Sequence, residues 1–320
     1  MSGGDRMADE LRFDGQAAIV TGAAKGIGRA IALLLAKRGA MVVVNGNVRP
    51  EGHGPEEDVV AEIRAAGGSA VGVNGSVADD NACRAMAAAA LDHFGRLDII
   101  VNNAGTTDTQ LRIQDAPSPV IDDQFAIHVK GPQQLFRAAW PHLQQSGQGR
   151  VINLGSASSL GIRSMHGWGG SYAICKSALY GLTRQMAGAG AEHGIKANLI
   201  MPYAYSTMVE KSFGGTEFGN WMQANFDPAM VAVAALYLMH RDCPVSGQFF
   251  SVGGGRMARV VFASRDGIHD PDLSPETVRT RWAEIMGEED AEQMLGDGFF
   301  ELPSQARDGA AFGKVLGGGK

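Results

Sequence analysis

Residues 17–28 read Ala17-Ala18-Ile19-Val20-Thr21-Gly22-Ala23-Ala24-Lys25-Gly26-Ile27-Gly28. The four apolar residues that end in Thr-Gly predict a short buried strand. Glycines follow at once, and apolar positions from Ile27 to Arg38 recur with helical spacing. A strand, a glycine-rich turn and a helix in that order suit a dinucleotide phosphate. Glycine permits a tight turn and close backbone approach, and the helix N-terminus attracts the pyrophosphate. A glycine loop alone is a weak signal. Its place between the first strand and the first helix gives it weight.

Outward from this stretch the alternation continues. Strands are predicted at 41–44, 70–73, 97–101, 150–154, 197–201 and 248–252. Helices are predicted at 56–66, 79–94, 124–145, 172–192 and 228–240, with Pro132 and Pro141 as kinks or breaks in the long one. Strands alternating with helices imply right-handed crossovers and a parallel sheet covered on both faces. The expected fold class is therefore α/β, a doubly wound seven-stranded parallel sheet over residues 11–253. After Gly253-Gly254-Gly255 the character changes. A strand is read at 259–262, and Ser274 looks like an N-cap with Pro275 at the first helical position, opening a helix to about Met286. Residues 254–303 are too few for a second core and are expected to be a C-terminal extension packed on the domain or on a partner subunit. Residues 1–10 and 304–320 read as a disordered leader and a flexible tail.

Composition narrows the function classes. The 320 residues carry a net charge of −6, which argues against a nucleic-acid or anionic-membrane surface. The longest apolar run, Ala30 to Ala36, is too short to span a bilayer. The N-terminus lacks an apolar signal segment, and Cys83, Cys175 and Cys243 show no paired spacing, so a reducing, cytoplasmic compartment is expected. Neither H-E-x-x-H nor a Cys/His cluster is present, so no metal site is expected. Gly155-Ser156 does not form the G-x-S-x-G of a serine hydrolase.

Tyr172 and Lys176 stand four apart in a helical pattern and so share one face. A tyrosine there can give or take a proton, and the ammonium is expected to lower its pKa. Together, Thr21–Gly28, Asn102-Asn103-Ala104-Gly105 after the fourth strand, and Tyr172-x-x-x-Lys176 resemble the motif set of the short-chain dehydrogenase/reductase family, in order. That resemblance implies a Rossmann-type fold, NAD or NADP binding, and hydride transfer at a carbinol or carbonyl carbon.

The resemblance assigns roles residue by residue. Tyr172 is the expected general acid/base, and Lys176 is expected to tune it and hold the nicotinamide ribose. A serine ending the fifth strand orients the substrate oxygen. Spacing from the tyrosine points to Ser159 and strand position to Ser156, and Ser156 is favoured because loops absorb insertions readily. The loop to Ser171, with Met165 and Trp168, is then longer than usual and available to the substrate pocket. His128 takes the place of an asparagine that supports a proton relay. The cofactor contacts implied are Gly22, Lys25, Gly26, Ile27 and Gly28 in the loop, Asn45 after the second strand, and Ser76 and Val77 beside the adenine. Asn103, Ala104 and Gly105 follow the fourth strand, and Pro202, Ala204 and Ser206 lie at the nicotinamide amide.

Within the family, several stretches between residues 11 and 290 are similar to one branch. They include Val42-Val43-Val44-Asn45, His128-Val129-Lys130-Gly131 and Leu273-Ser274-Pro275-Glu276. The branch comprises the (3R)-hydroxyacyl-CoA dehydrogenase units of peroxisomal multifunctional enzymes of type 2, a group that also bears a 17β-hydroxysteroid dehydrogenase name. It has an acid at the end of the second strand that selects NAD, whereas this chain has Gly46. With Lys25 and Arg49 nearby, NADP is expected to be accepted at least as well as NAD. The expected substrate is a 3-hydroxyacyl-CoA or a similarly bulky hydroxy compound. A steroid or other lipophilic alcohol is the alternative, and a non-catalytic dinucleotide-binding regulator the remote one. The resemblance further implies a homodimer or homotetramer, joined through the helices around 124–145 and 172–192.

Overall fold

A computed structural model describes residues 10–47, 54–107, 111–160, 170–262, 264 and 266–287. Its strands are β1 (Ala17–Val20), β2 (Met41–Gly46), β3 (Ser69–Asn74), β4 (Ile99–Asn102), β5 (Arg150–Leu154), β6 (Lys196–Pro202), β7 (Phe249–Gly253) and β8 (Arg256–Val260). Its helices are α1 (Gly26–Lys37), α2 (Pro55–Ala65), α3 (Asp80–Phe94), α4 (Ser118–Phe125), α5 (Gly131–Ser146), α6 (Gly170–Gly190), α7 (Thr207–Phe213), α8 (Glu217–Asn225), α9 (Pro228–Met239), α10 (Pro275–Thr280) and α11 (Trp282–Met286).

All eight strands form one sheet in the order β3-β2-β1-β4-β5-β6-β7-β8. The first seven are parallel, as the alternation predicts, while β8 pairs antiparallel with β7. The seven-strand expectation is thus one short. Gly254 and Gly255, both at positive φ, turn the chain straight back, so the extension begins as an edge strand over 256–260, a few residues earlier than the 259–262 read from the sequence. Phe262 then packs edge-on to Tyr180 of α6. Ser274 caps α10 by accepting from the Thr277 amide, but the single helix read to Met286 is two short ones.

Alternate residues of each strand serve opposite faces, which is why these strands are nearly continuous in apolar residues. Ala18, Val20, Val42, Val44, Ile99 and Ile152 pack with Ile31, Leu35, Val59 and Val231 from α1, α2 and α9. Ile19, Val43, Ile100 and Val151 face the other way, against Met86, Leu135, Leu143 and Met186 from α3, α5 and α6.

The long helix expected over 124–145 is α4 and α5 joined by a π-helical turn, Ala126–Lys130, in which the Gly131 amide reaches back to the Ala126 carbonyl. Proline has no N–H, so Pro132 cannot make the bond that an α-helix would direct to the His128 carbonyl. The chain widens there without breaking. Pro141 lies inside α5, which runs through it.

Strand order reverses between β1 and β4. In doubly wound sheets that reversal opens a crevice at the C-terminal strand ends, where ligands bind. The motif residues of the sequence lie along those ends.

Candidate active site

Thr21, at the end of β1, ties the two sides of the crevice together. Its hydroxyl donates to the Val101 carbonyl (3.1 Å) and accepts from the Asn103 and Ala104 amides (3.0 Å each). The Asn103 side-chain amide donates to the Thr21 and Gly22 carbonyls at 2.8 and 3.1 Å. Asn103 therefore straps the glycine loop from below, and its NH2 group is committed to the protein. Gly22 sits at φ +61°, and a Cβ on it would come 2.8 Å from Ala104 Cα. A Cβ on Gly28 would overlap Asn103 Nδ2. Lys25 ends the loop, exposed, and α1 starts with no side chain capping its first amides. This bare, glycine-lined helix N-terminus fits a dinucleotide pyrophosphate.

Asn45 is buried at the end of β2. Its side-chain oxygen accepts from the Gly22 amide (3.2 Å), and its nitrogen donates to the carbonyls of Gly46, Val73 and Gly75. It holds the loop against the strand ends. Ser76 and Val77 follow β3. The Ser76 hydroxyl accepts from the Ala78 amide, and Val77 is buried against Gly131. Pro202 and Ala204 lie at and beyond the end of β6, and Ser206 caps α7 by accepting from the Val209 amide.

Tyr172 and Lys176 lie in the first two turns of α6, both buried. The Tyr172 hydroxyl hydrogen-bonds the Ser156 side chain. Ser159 turns elsewhere: its hydroxyl is 2.5 Å from the Tyr180 hydroxyl, which donates to Met201 Sδ at 3.0 Å. The structure thus brings Ser156 and Tyr172 together and leaves Ser159 outside. Lys176 Nζ donates to the Leu154 carbonyl at 2.6 Å and stands 5.6 Å from the Tyr172 ring centre.

His128 links these residues to the glycine loop. Its ring packs edge-on against Tyr172, with 5.2 Å between centres. Its Nε2 lies 2.8 Å from the Thr106 carbonyl, and a Cβ on Gly105 would sit 2.5 Å from its Cε1. Nδ1 is buried with no hydrogen-bond partner among the described residues. Tyr172, His128, Gly105 and the Asn103–Thr21 strap thus form one continuous set of contacts across the crevice.

Burial dominates the electrostatics. It pushes the Tyr172 phenol up to about 12, offset in part by the Ser156 hydrogen bond. It pulls Lys176 down to about 7. The sequence-based expectation that Lys176 lowers the tyrosine pKa is therefore not met. The ammonium is turned to the strand carbonyl, and desolvation of the phenolate outweighs it. Burial and then the charge of Lys176 pull His128 down to about 3, against a hydrogen bond with the Thr106 backbone.

Sequence reasoning passed over the buried chain Asn102–Asn153–Thr183. Asn102 donates to Asn153 Oδ1 (2.8 Å), and Asn153 donates to Thr183 Oγ1 (2.9 Å). It ties β4 to β5 and β5 to α6, behind Ser156 and Tyr172. Polar residues inside otherwise apolar strands were the available signal. Met165, Trp168 and Arg49 lie outside the described residues.

Residues 16–217 match the family model for short chain dehydrogenases. The chain belongs to the short-chain dehydrogenase family. It is accordingly an oxidoreductase that uses NAD or NADP with a small-molecule substrate. It is 37% identical over 290 residues to the mouse peroxisomal multifunctional enzyme type 2, covering 87% of this chain and 38% of the mouse protein. It is 36% identical over 282 residues to the peroxisomal multifunctional enzyme A of Dictyostelium discoideum, covering 86% of this chain and 61% of that protein. The chain thus spans less than two thirds of each of these relatives. A short chain dehydrogenase from Mycobacterium avium superposes with a TM-score of 0.73 at 31% identity, covering 87% of this chain and 96% of the other. Among the described residues no helix is long and apolar enough to cross a membrane, and no group of His, Cys, Asp or Glu could hold a metal ion.

Proposed function

We propose that this dehydrogenase interconverts a 3-hydroxyacyl-CoA, or a similarly bulky hydroxy compound, and the corresponding ketone. The observation that carries the chemistry is the Ser156–Tyr172 hydrogen bond, made beside Lys176 at the mouth of the crevice. A substrate oxygen placed between the two hydroxyls replaces that bond with two of its own. In the oxidative direction Tyr172 takes the substrate proton and Ser156 holds the oxygen. Bound in the crevice, NAD or NADP would supply the hydride acceptor for the carbinol carbon. Gly22, Lys25, Gly26, Ile27 and Gly28 would hold the pyrophosphate, and Ala104, Gly105, Pro202, Ala204 and Ser206 border the nicotinamide side. Lys176 would hold the ribose and, charged, draw the tyrosine pKa back down.

His128, neutral at working pH, donates from Nε2 to the Thr106 carbonyl, which leaves Nδ1 as an acceptor on a ring packed against Tyr172, a place for a proton relay. The acyl-CoA assignment rests on the similarity over residues 11–290. A homo-oligomer through α5 and α6 rests on the resemblance alone. Three buried cysteines, Cys83, Cys175 and Cys243, with no disulfide shown among the described residues, support a reducing compartment, taken to be the cytoplasm.

The test is cofactor reduction by purified protein with a (3R)-3-hydroxyacyl-CoA, compared with Tyr172→Phe and Ser156→Ala. Turnover should fall by about 10²–10⁴-fold in the tyrosine variant, and clearly in the serine variant, while dinucleotide binding persists. Turnover of hydroxysteroids with none of the thioester would assign the other substrate class.

A further inference from the structure

Gly46 ends β2, the kind of strand end where dinucleotide-binding folds place an acid that receives the adenosine ribose. The structure fills that place from another element. A Cβ built on Gly46 would overlap Oε2 of Glu56 and lie 2.9 Å from its Cδ. Glu56 stands in the first turn of α2 and is 2% exposed. Its carboxylate occupies the volume that a side chain on the end of β2 would take. Gly54, whose own Cβ would overlap Oε1, leaves room for it.

We infer that Glu56 supplies the missing strand-end carboxylate, receives the ribose diol of the dinucleotide, and selects NAD over NADP. This rests on the dehydrogenase reading above. Three observations carry it. The first is position: the Glu56 carboxylate fills the space beside Gly46, the last residue of β2, at the same C-terminal strand ends that carry the phosphate loop. The second is hydrogen-bonding capacity. An ionised carboxylate offers about four acceptor positions. Among the described residues its only donor is the Asn74 side-chain nitrogen, at 2.9 and 3.1 Å from the two oxygens. A buried carboxylate held by one neutral amide is under-satisfied, and two vicinal hydroxyls are the donors it lacks. The third is charge. A 2′-phosphate brought to the same place would face a carboxylate with which no described cation pairs. Lys25, the sequence-based argument for NADP, is exposed at the start of α1, where the pyrophosphate itself can use it.

Glutamate at 56 and glycine at 46 are also coupled. Aspartate at 46 would collide with the glutamate, so the carboxylate can come from one position or the other.

The experiment is direct titration of the full chain with NAD and with NADP by calorimetry, repeated on Glu56→Gln and on the double variant Gly46→Asp/Glu56→Ala. Each variant is checked for an intact circular dichroism spectrum. The wild type should bind NAD at least about tenfold more tightly than NADP. Glu56→Gln should lose most of that ratio, mainly through weaker NAD binding. The double variant, with the acid moved to the strand, should recover it, which a merely structural Glu56 would not allow. A wild type that prefers NADP, or a ratio unchanged in Glu56→Gln, overturns the inference and leaves the dehydrogenase reading intact. Binding of neither dinucleotide overturns both.

Discussion

His128 is a histidine kept neutral by its surroundings. Its pKa of about 3 in the folded chain lies below the ordinary 6.5, so between those values the unfolded chain binds the extra proton and the folded chain does not. Stability from this group is full above pH 6.5 and is lost as pH falls toward 3. The expected slope is about 1.4 kcal/mol per pH unit inside that window. Urea unfolding at pH 6 and pH 5 should show it, and His128→Asn should remove it. An equal slope in the variant would mean that another group carries the acid sensitivity. At this scale the sequence was informative about identity and less so about environment. That Tyr172 and Lys176 share the start of α6 and that Ser156, just after β5, comes beside Tyr172 was legible, because motif spacing and strand ends are local. The direction of the Tyr172 shift was not, because it depends on where the Lys176 ammonium turns and how much water is excluded. Glu56 was not legible either. It lies ten residues beyond Gly46, and only the return of α2 over the sheet brings the two together.

Elements hold the site in register. The Asn102–Asn153–Thr183 chain ties β5 to α6, as Lys176 Nζ does at the Leu154 carbonyl, and Thr183 Oγ1 itself donates to the Leu179 carbonyl. Thr183→Val keeps the shape but leaves the Asn153 amide with only Met186 Sδ, 3.5 Å away. A buried donor left without a good partner costs about 1–3 kcal/mol, and urea denaturation should report a loss of that size, with turnover falling through a displaced Tyr172. A loss within ~0.5 kcal/mol, the usual range for surface substitutions, would show that the chain is dispensable. The seven parallel strands were readable as apolar runs because both faces are covered. The eighth was misplaced because an edge strand such as β8, with alternately exposed residues, has no such run. The π-helical turn was read as a proline kink, since Pro132 marks where a bond is missing but not how the chain closes around the gap.

In the whole molecule, two apolar layers hold the sheet rigid while every candidate catalytic and cofactor residue sits at its C-terminal edge. That division was visible in the sequence, because strands predict the core and the residues just after them predict the site. The substrate side was less visible. Residues 161–169, expected to border it, lie outside the described residues. The measurement that tests the central claim most directly is isotope transfer from a (3R)-3-hydroxyacyl-CoA carrying deuterium on its carbinol carbon, followed by mass spectrometry of the nicotinamide product. Hydride transfer at this site predicts that the deuterium appears on the reduced nicotinamide, and that Tyr172→Phe slows its appearance without diverting it. A ketone formed with no deuterium on the cofactor, or no reaction while both ligands bind, would contradict it.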